Sequence, residues 1–329
     1  MSAIPVLFGI SVILFALIQF TPGGPVEQLM AQWRQSGIGE TGGGRITAIT
    51  EEQRQRLVAY YGFDKPLTVR YFSWLGKTLR GDLGESYHSD EPVLTLLKRH
   101  LPVSIALGLL SFLLTYAVCL PLGIAKAMRP HTLFDRLTTA FIIFLYSIPP
   151  FTLGILLLVF LGGGSFLDLF PLAGVTSDRF GELSFFDKIF DLAHHLTLPV
   201  LCYTAGGFAS LTLLMKSSLL DQLQQDYLRT ARAKGLPGNR VVFHHALKGA
   251  LIPIATSLGH WLSLFFAGSL LIETLFGLPG IGRLSYEAVL HRDYPVILAT
   301  ILLLSALHIA GNLLSDFLYT RLDPRIRLS

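Results

Sequence analysis

Six stretches of this 329-residue chain, at about 3–20, 101–125, 137–161, 196–215, 250–272 and 296–318, hold one carboxylate among them, Asp316. Crossing a bilayer core of about 30 Å takes roughly 20 apolar residues in a helix. Only helices and closed barrels satisfy their own backbone groups in lipid. Each stretch has helical length, and none alternates over about ten residues as a barrel strand does. The expectation is an all-α integral membrane protein with six transmembrane helices. Composition agrees: the chain is 51% hydrophobic and 15% charged, with mean hydropathy +0.55, too little charge for the surface of a soluble domain. A net charge of +4 gives no reason to expect nucleic acid as a partner. Cys119 and Cys202 lie in apolar runs and match no metal-binding or redox spacing. The first stretch has no charged segment before it and passes into QFTPGGP instead of a small-residue cleavage site. It therefore reads as a retained helix and not a signal peptide.

Short loops set the orientation. Segments 126–136, 220–248 and 320–329 carry three, five and three Lys/Arg, against two each in 162–193 and 277–294. The positive-inside rule places the first set in the cytoplasm, and both termini with it. The chain then divides into a first transmembrane helix (1–20), an extracytoplasmic cap segment (21–99), a five-helix core (100–319) with a cytoplasmic loop at 220–248, and a cytoplasmic tail (320–329). Within the cap segment GIGETGGGR reads as a loop. Thr50 as N-cap, Gln53 three residues on and Gly62 as a stop frame one helix. Leu67, Tyr71, Trp74 and Leu75, at helical spacing, frame a second over 67–79. Pro102, Pro121, Pro149, Pro150 and Pro253 fall inside apolar stretches. Broken helices around a transport path would use them, although proline is common in membrane helices generally.

The cytoplasmic loop contains RTARAKGLPGNRVVFHHALKG, residues 229–249. Gly235 fits a helix stop and Pro237 the first turn of the next helix, so two short helices should meet at a bend. Ala231 and Gly235 are four apart, on one face, and both small, so another surface can approach the backbone closely, and Arg229, Arg232, Lys234 and Arg240 ring that face. Such a knuckle suits docking to a soluble partner with acidic surface. A solvated loop whose charges serve only topology is the other reading, and spacing alone leaves both open.

DYLRTARAKG resembles the EAA loop of ABC importer permeases in the dipeptide/oligopeptide (B-type) branch. Arg229, Thr230 and Ala231 stand at the first three positions of that pattern, Gly235 at its glycine and Leu247 at its later leucine, with Lys248 replacing the proline. FTPGGPV, YGFDKPLTVRYF, GDLGES, LPVSIALG and GSLLIETLFGLPGIG are similar to the same branch along nearly the whole chain. GGGSFLDLFPLAGV and GGFASLTLL resemble its Yej-type members, associated with uptake of peptides and of the peptide–nucleotide antibiotic microcin C. Members usually carry a short basic segment before the first helix, and this chain begins inside the apolar run. The resemblance implies a type I importer permease fold in a bacterial inner membrane, with the 229–240 loop as the coupling element. It also implies a second homologous permease, two ABC ATPase subunits that use ATP and Mg, a periplasmic peptide-binding protein and a peptide substrate. This chain would be non-catalytic and bind no cofactor of its own.

GLPGIGRL at 277–284 lacks the Lys-Ser/Thr that a phosphate-binding loop needs. SYHSDE at 86–91 holds Ser, His and Asp, but neighbours in a loop do not form a triad. The pairs His194–His195 and His244–His245 diverge on a helix and chelate one metal poorly. His308, Asn312 and Asp316 share one face of the last helix, and His260 sits in the fifth. Polar groups at bilayer depth avoid lipid. These line a path, meet a second permease or, most simply, make ordinary interhelical hydrogen bonds. A stand-alone ion-coupled transporter would need intramembrane acids, of which Asp316 and Glu273 are the candidates, and no inverted repeat accompanies them.

Overall fold

The computed structural model describes residues 3–20, 65–164, 166–266 and 268–322. The expected 50–62 helix, the glycine-rich loop and the tail from 323 lie outside them. All six apolar stretches are helical, and the described residues fall into two compact units, one drawn from 1–99 with 287–303, the other from 100–286 with 304–329.

In the first unit, α1 (Ala3–Phe20) is apolar on every side, and α2 (Leu67–Leu79) buries Tyr71. Phe8 and Phe15 meet the Tyr71 ring edge-on at 6.1 and 5.4 Å, and its hydroxyl reaches Ser11 Oγ at 2.8 Å. The polar tip of the tyrosine is thereby satisfied where its ring is buried. The SYHSDE segment is a structural loop. Ser86 Oγ and the backbone N–H groups of Tyr87 and His88 all donate to the Asp293 carboxylate. His88 stacks on His291 at 3.9 Å.

The second unit is built around one long helix. Helix α3 (Val93–Met128) continues into it from the first unit, followed by α4 (Leu133–Ser147), α5 (Pro150–Leu161) and α6 (Phe185–Leu223). Helix α6 packs against α4, α5 and the later α8, and two thirds of its apolar stretch is buried against one third of that of α3. By length and composition α3, α6 and α11 (Tyr294–Leu322) can each cross a bilayer alone, and α4 with α5 can do so as one bent span.

That bend is the main difference from a straight 137–161 helix: α4 and α5 meet at 96°. Pro149 forces Ile148 out of the helical region, to ψ 119°, and Pro150 starts α5 at the position where a missing N–H costs nothing. Pro102, Pro121, Pro199 and Pro253 sit inside unbroken helices. The fifth stretch is also interrupted. Helix α8 (Leu247–Phe266) stops before Gly268, whose φ is +75°, and a short α9 (Leu270–Leu275) follows, capped by Ser269. Helix α10 (Ile281–Leu290) leads to α11. Where α8 crosses α11, Gly259 lies against the Gly311 carbonyl so closely that a methyl at position 259 would overlap it. Ser315 Oγ donates to the Ala255 carbonyl at 3.1 Å beside this crossing.

Candidate functional site

Between α6 and α8 the chain forms α7 (Asp226–Ala233), a helical turn at Gly238–Arg240 and a π-helical stretch at Val241–Ala246. Asp226 in the first turn and Arg232 in the last complement the helix dipole, and Arg229 pairs with Asp226 at 3.2 Å. Gly235 stops α7 in the left-handed conformation, with φ +79°. Its N–H donates to Arg232 O at 2.9 Å, and Leu236 N–H donates to Ala231 O at 3.4 Å. Those two bonds make a Schellman stop, with Leu236 folded back on the core. Pro237 precedes the next helical turn as its N-cap.

One face of α7 is locked to the protein. Leu228 and Ala231 are buried with Ala127 of α3, Met215 and Leu219 of α6, and Val241, Val242 and Ala246. This corrects one expectation: Ala231 and Gly235 do not share an open small-residue face. Ala231 points inward, because it lies three residues from Leu228 on the apolar face, and Gly235 alone has open space beyond it. Arg229, Thr230, Arg232, Lys234 and Arg240 are all exposed. Two aromatics join them that the sequence reading left aside, Tyr227 and Phe243, each about half exposed. Tyr227 donates to Gln222 Oε1 at 2.8 Å, and partial burial raises its phenol above the ordinary range. The Gln222 amide also fills the space over Gly249, so both ends of the loop are tied together.

The polar stripe on α11 points away from that helix's contact with α8. Gly311 and Ser315 are buried at the crossing, whereas His308, Asn312 and Asp316 are exposed. Asn312 Nδ2 and His308 Nε2 lie 3.2 Å apart along the same helix. His260 falls within α8, and its side chain lies outside the described residues.

Glu273, noted in the sequence only as an acid near the end of the fifth span, is the most enclosed carboxylate among the described residues, at 0% exposure. Its Oε1 accepts from Ser104 Oγ at 2.8 Å and Tyr203 Oη at 3.2 Å, and its Oε2 from the Arg283 N–H at 2.9 Å. Ser104 Oγ in turn accepts from Ile281 N–H, and Tyr203 Oη from Ser269 N–H. With their lone pairs so occupied, both hydroxyls aim their protons at the carboxylate. Side chains at Gly280 and Gly282 would overlap it, which accounts for the last two glycines of GLPGIG. The motif cradles the protein's own acid and no phosphate.

Residues 119–328 match the family described as binding-protein-dependent transport system inner membrane component. The chain is 43% identical to the inner membrane ABC transporter permease protein YejB of Escherichia coli O157:H7, over 98% of its own length and 95% of that protein's. It is 41% identical to the peptidoglycan transport system permease protein YejB of Agrobacterium fabrum, over the same shares. Against the oligopeptide transport system permease protein AppB of Bacillus subtilis identity is 35%, over 99% and 96%. These likenesses run through the apolar helices and the loop between α6 and α8 alike, and the chain belongs to the family of binding-protein-dependent transport system inner membrane components.

Proposed function

We propose that this chain is the membrane subunit through which a partner ATPase drives import of peptides. It would pair with a second homologous permease, bind two ATPase subunits on the cytoplasmic side and receive cargo from a periplasmic binding protein at the segment 21–99. Both termini lie in the cytoplasm on this reading. ATP and Mg belong to the ATPase, and this chain performs no chemistry itself. Relatives named for oligopeptide and peptidoglycan transport support peptide-containing cargo.

One observation carries the proposal: α7 has an exposed basic face on a helix whose other face is fixed to α3, α6 and the π-helical stretch. A partner pressing on Arg229, Arg232 and Lys234 therefore moves three elements at once. The stand-alone ion-coupled alternative loses Glu273 as an ion site, since three donors already occupy it.

Reversing charge in Arg229→Glu together with Arg232→Glu should cut co-purification of the ATPase about tenfold, a loss of about 1.4 kcal/mol. Unchanged co-purification would contradict docking at this face. The α11 stripe, exposed within this chain and turned away from α8, fits a path or a contact with the second permease. Asn312→Leu is expected to leave insertion and ATPase binding intact while lowering uptake several-fold. Wild-type uptake in that variant removes the stripe from the path.

A further inference from the structure

A buried ionic cluster ties α3, α4 and α6 together close to the loop. Asp135, in the first turn of α4, is 5% exposed, and Lys126 at the end of α3 is fully buried. Lys126 Nζ donates to Asp135 O at 2.9 Å and to Thr138 and Thr139 Oγ1 at 2.7 Å each, gripping one face of α4. Its distance to Asp135 Oδ1 is 3.1 Å. Lys216 of α6 grips from the other side, at 2.7 and 2.8 Å from the two Asp135 oxygens. The His131 N–H completes the set at 3.1 Å.

Two features separate this cluster from ordinary structural pairing. It holds two cations against one anion, an arrangement that apolar residues could replace at no loss of stability. It is also most of what fixes the inner half of α4. Only Asp135 and Ile142 of that helix are buried, while Leu133, Leu137, Phe141 and Phe144 face outward. Lys216, meanwhile, directly follows Met215, which packs with Leu228 and Ala231 of α7 in one cluster.

We propose that Asp135 is a positioning residue for transport: held between Lys126 and Lys216, it is the joint through which movement of the α7 loop reaches the bent α4–α5 pair. The proposal rests on the coupling role proposed for that loop. Displacing α7 shifts α6 and α3 through their shared core, and the two lysines carry α4 with them. The 96° break then lets α4 swing without dragging α5 along its axis.

The test uses the reconstituted complex of permease pair, ATPase and binding protein, with uptake and ATP hydrolysis measured side by side. Lys216→Met leaves a one-to-one Lys126–Asp135 pair and removes the surplus charge, so it should fold and assemble. Uptake per ATP hydrolysed is expected to fall about tenfold, and Lys216→Arg, which keeps a charged two-pronged contact, should recover most of it. Asp135→Asn should uncouple in the same way. Wild-type uptake per ATP in Lys216→Met overturns the joint, as does a fall of uptake and hydrolysis in step, which marks a merely structural role. A failure of the loop reading itself shows elsewhere, as unchanged ATPase co-purification in the Arg229/Arg232 reversal.

Discussion

Gly235→Trp is expected to abolish peptide uptake and lower ATPase co-purification at least about 100-fold, which corresponds to about 2.7 kcal/mol of docking energy. Two effects add. The residue sits at φ +79° in the Schellman stop of α7, where most side chains with a Cβ are strained by about 1–2 kcal/mol. Beyond it lies open space, so an indole projects into the volume a partner would fill. Gly235→Asn separates the two, because asparagine tolerates the left-handed conformation and adds little bulk. It should assemble and transport close to normally. Matching losses in both variants would mean that backbone strain, and not docking, governs this position. Full assembly and uptake in Gly235→Trp would place the ATPase contact elsewhere.

Glu273→Leu is expected to be strongly destabilising. The leucine leaves the Ser104 and Tyr203 hydroxyls and the Arg283 N–H without their acceptor in a fully buried site. Orphaning such groups costs roughly 1–3 kcal/mol apiece before relaxation. A net loss of about 3–5 kcal/mol should lower the thermal midpoint of the detergent-purified complex by roughly 10 °C. Glu273→Gln keeps one acceptor oxygen but turns an amide N–H toward donors, so it should fall between. A midpoint within 2 °C of wild type for Glu273→Leu, on the order of 1 kcal/mol or less, would show that the carboxylate does not hold the 268–283 turn.

How much of this was readable in the chain depends on the range of the interactions. The apolar stretches became helices because roughly 20 apolar residues are a local signal that nothing distant overrides. Gly235 stopped α7 as expected for the same reason, since a Schellman stop involves six consecutive residues. Ala231 faces the core instead of the open side, and Leu228 three residues earlier marks that side as apolar. A single proline does not mark a bend, because Pro102, Pro121, Pro199 and Pro253 sit in continuous helices. Consecutive prolines were the distinguishing sign. The two buried polar clusters were invisible for another reason. Glu273 gathers donors from positions 104, 203 and 283, and Asp135 meets Lys216 across 81 residues, separations that no local pattern records.

The central claim is that α7 is a mechanical contact for an ATPase carried by another chain. The most direct measurement is uptake of labelled peptide into proteoliposomes containing the permease pair and binding protein, with and without the ATPase and ATP inside. Uptake should appear only when ATPase and ATP are both present, and should vanish with Gly235→Trp. Uptake by the permease without the ATPase, driven by an ion gradient alone, would contradict the account.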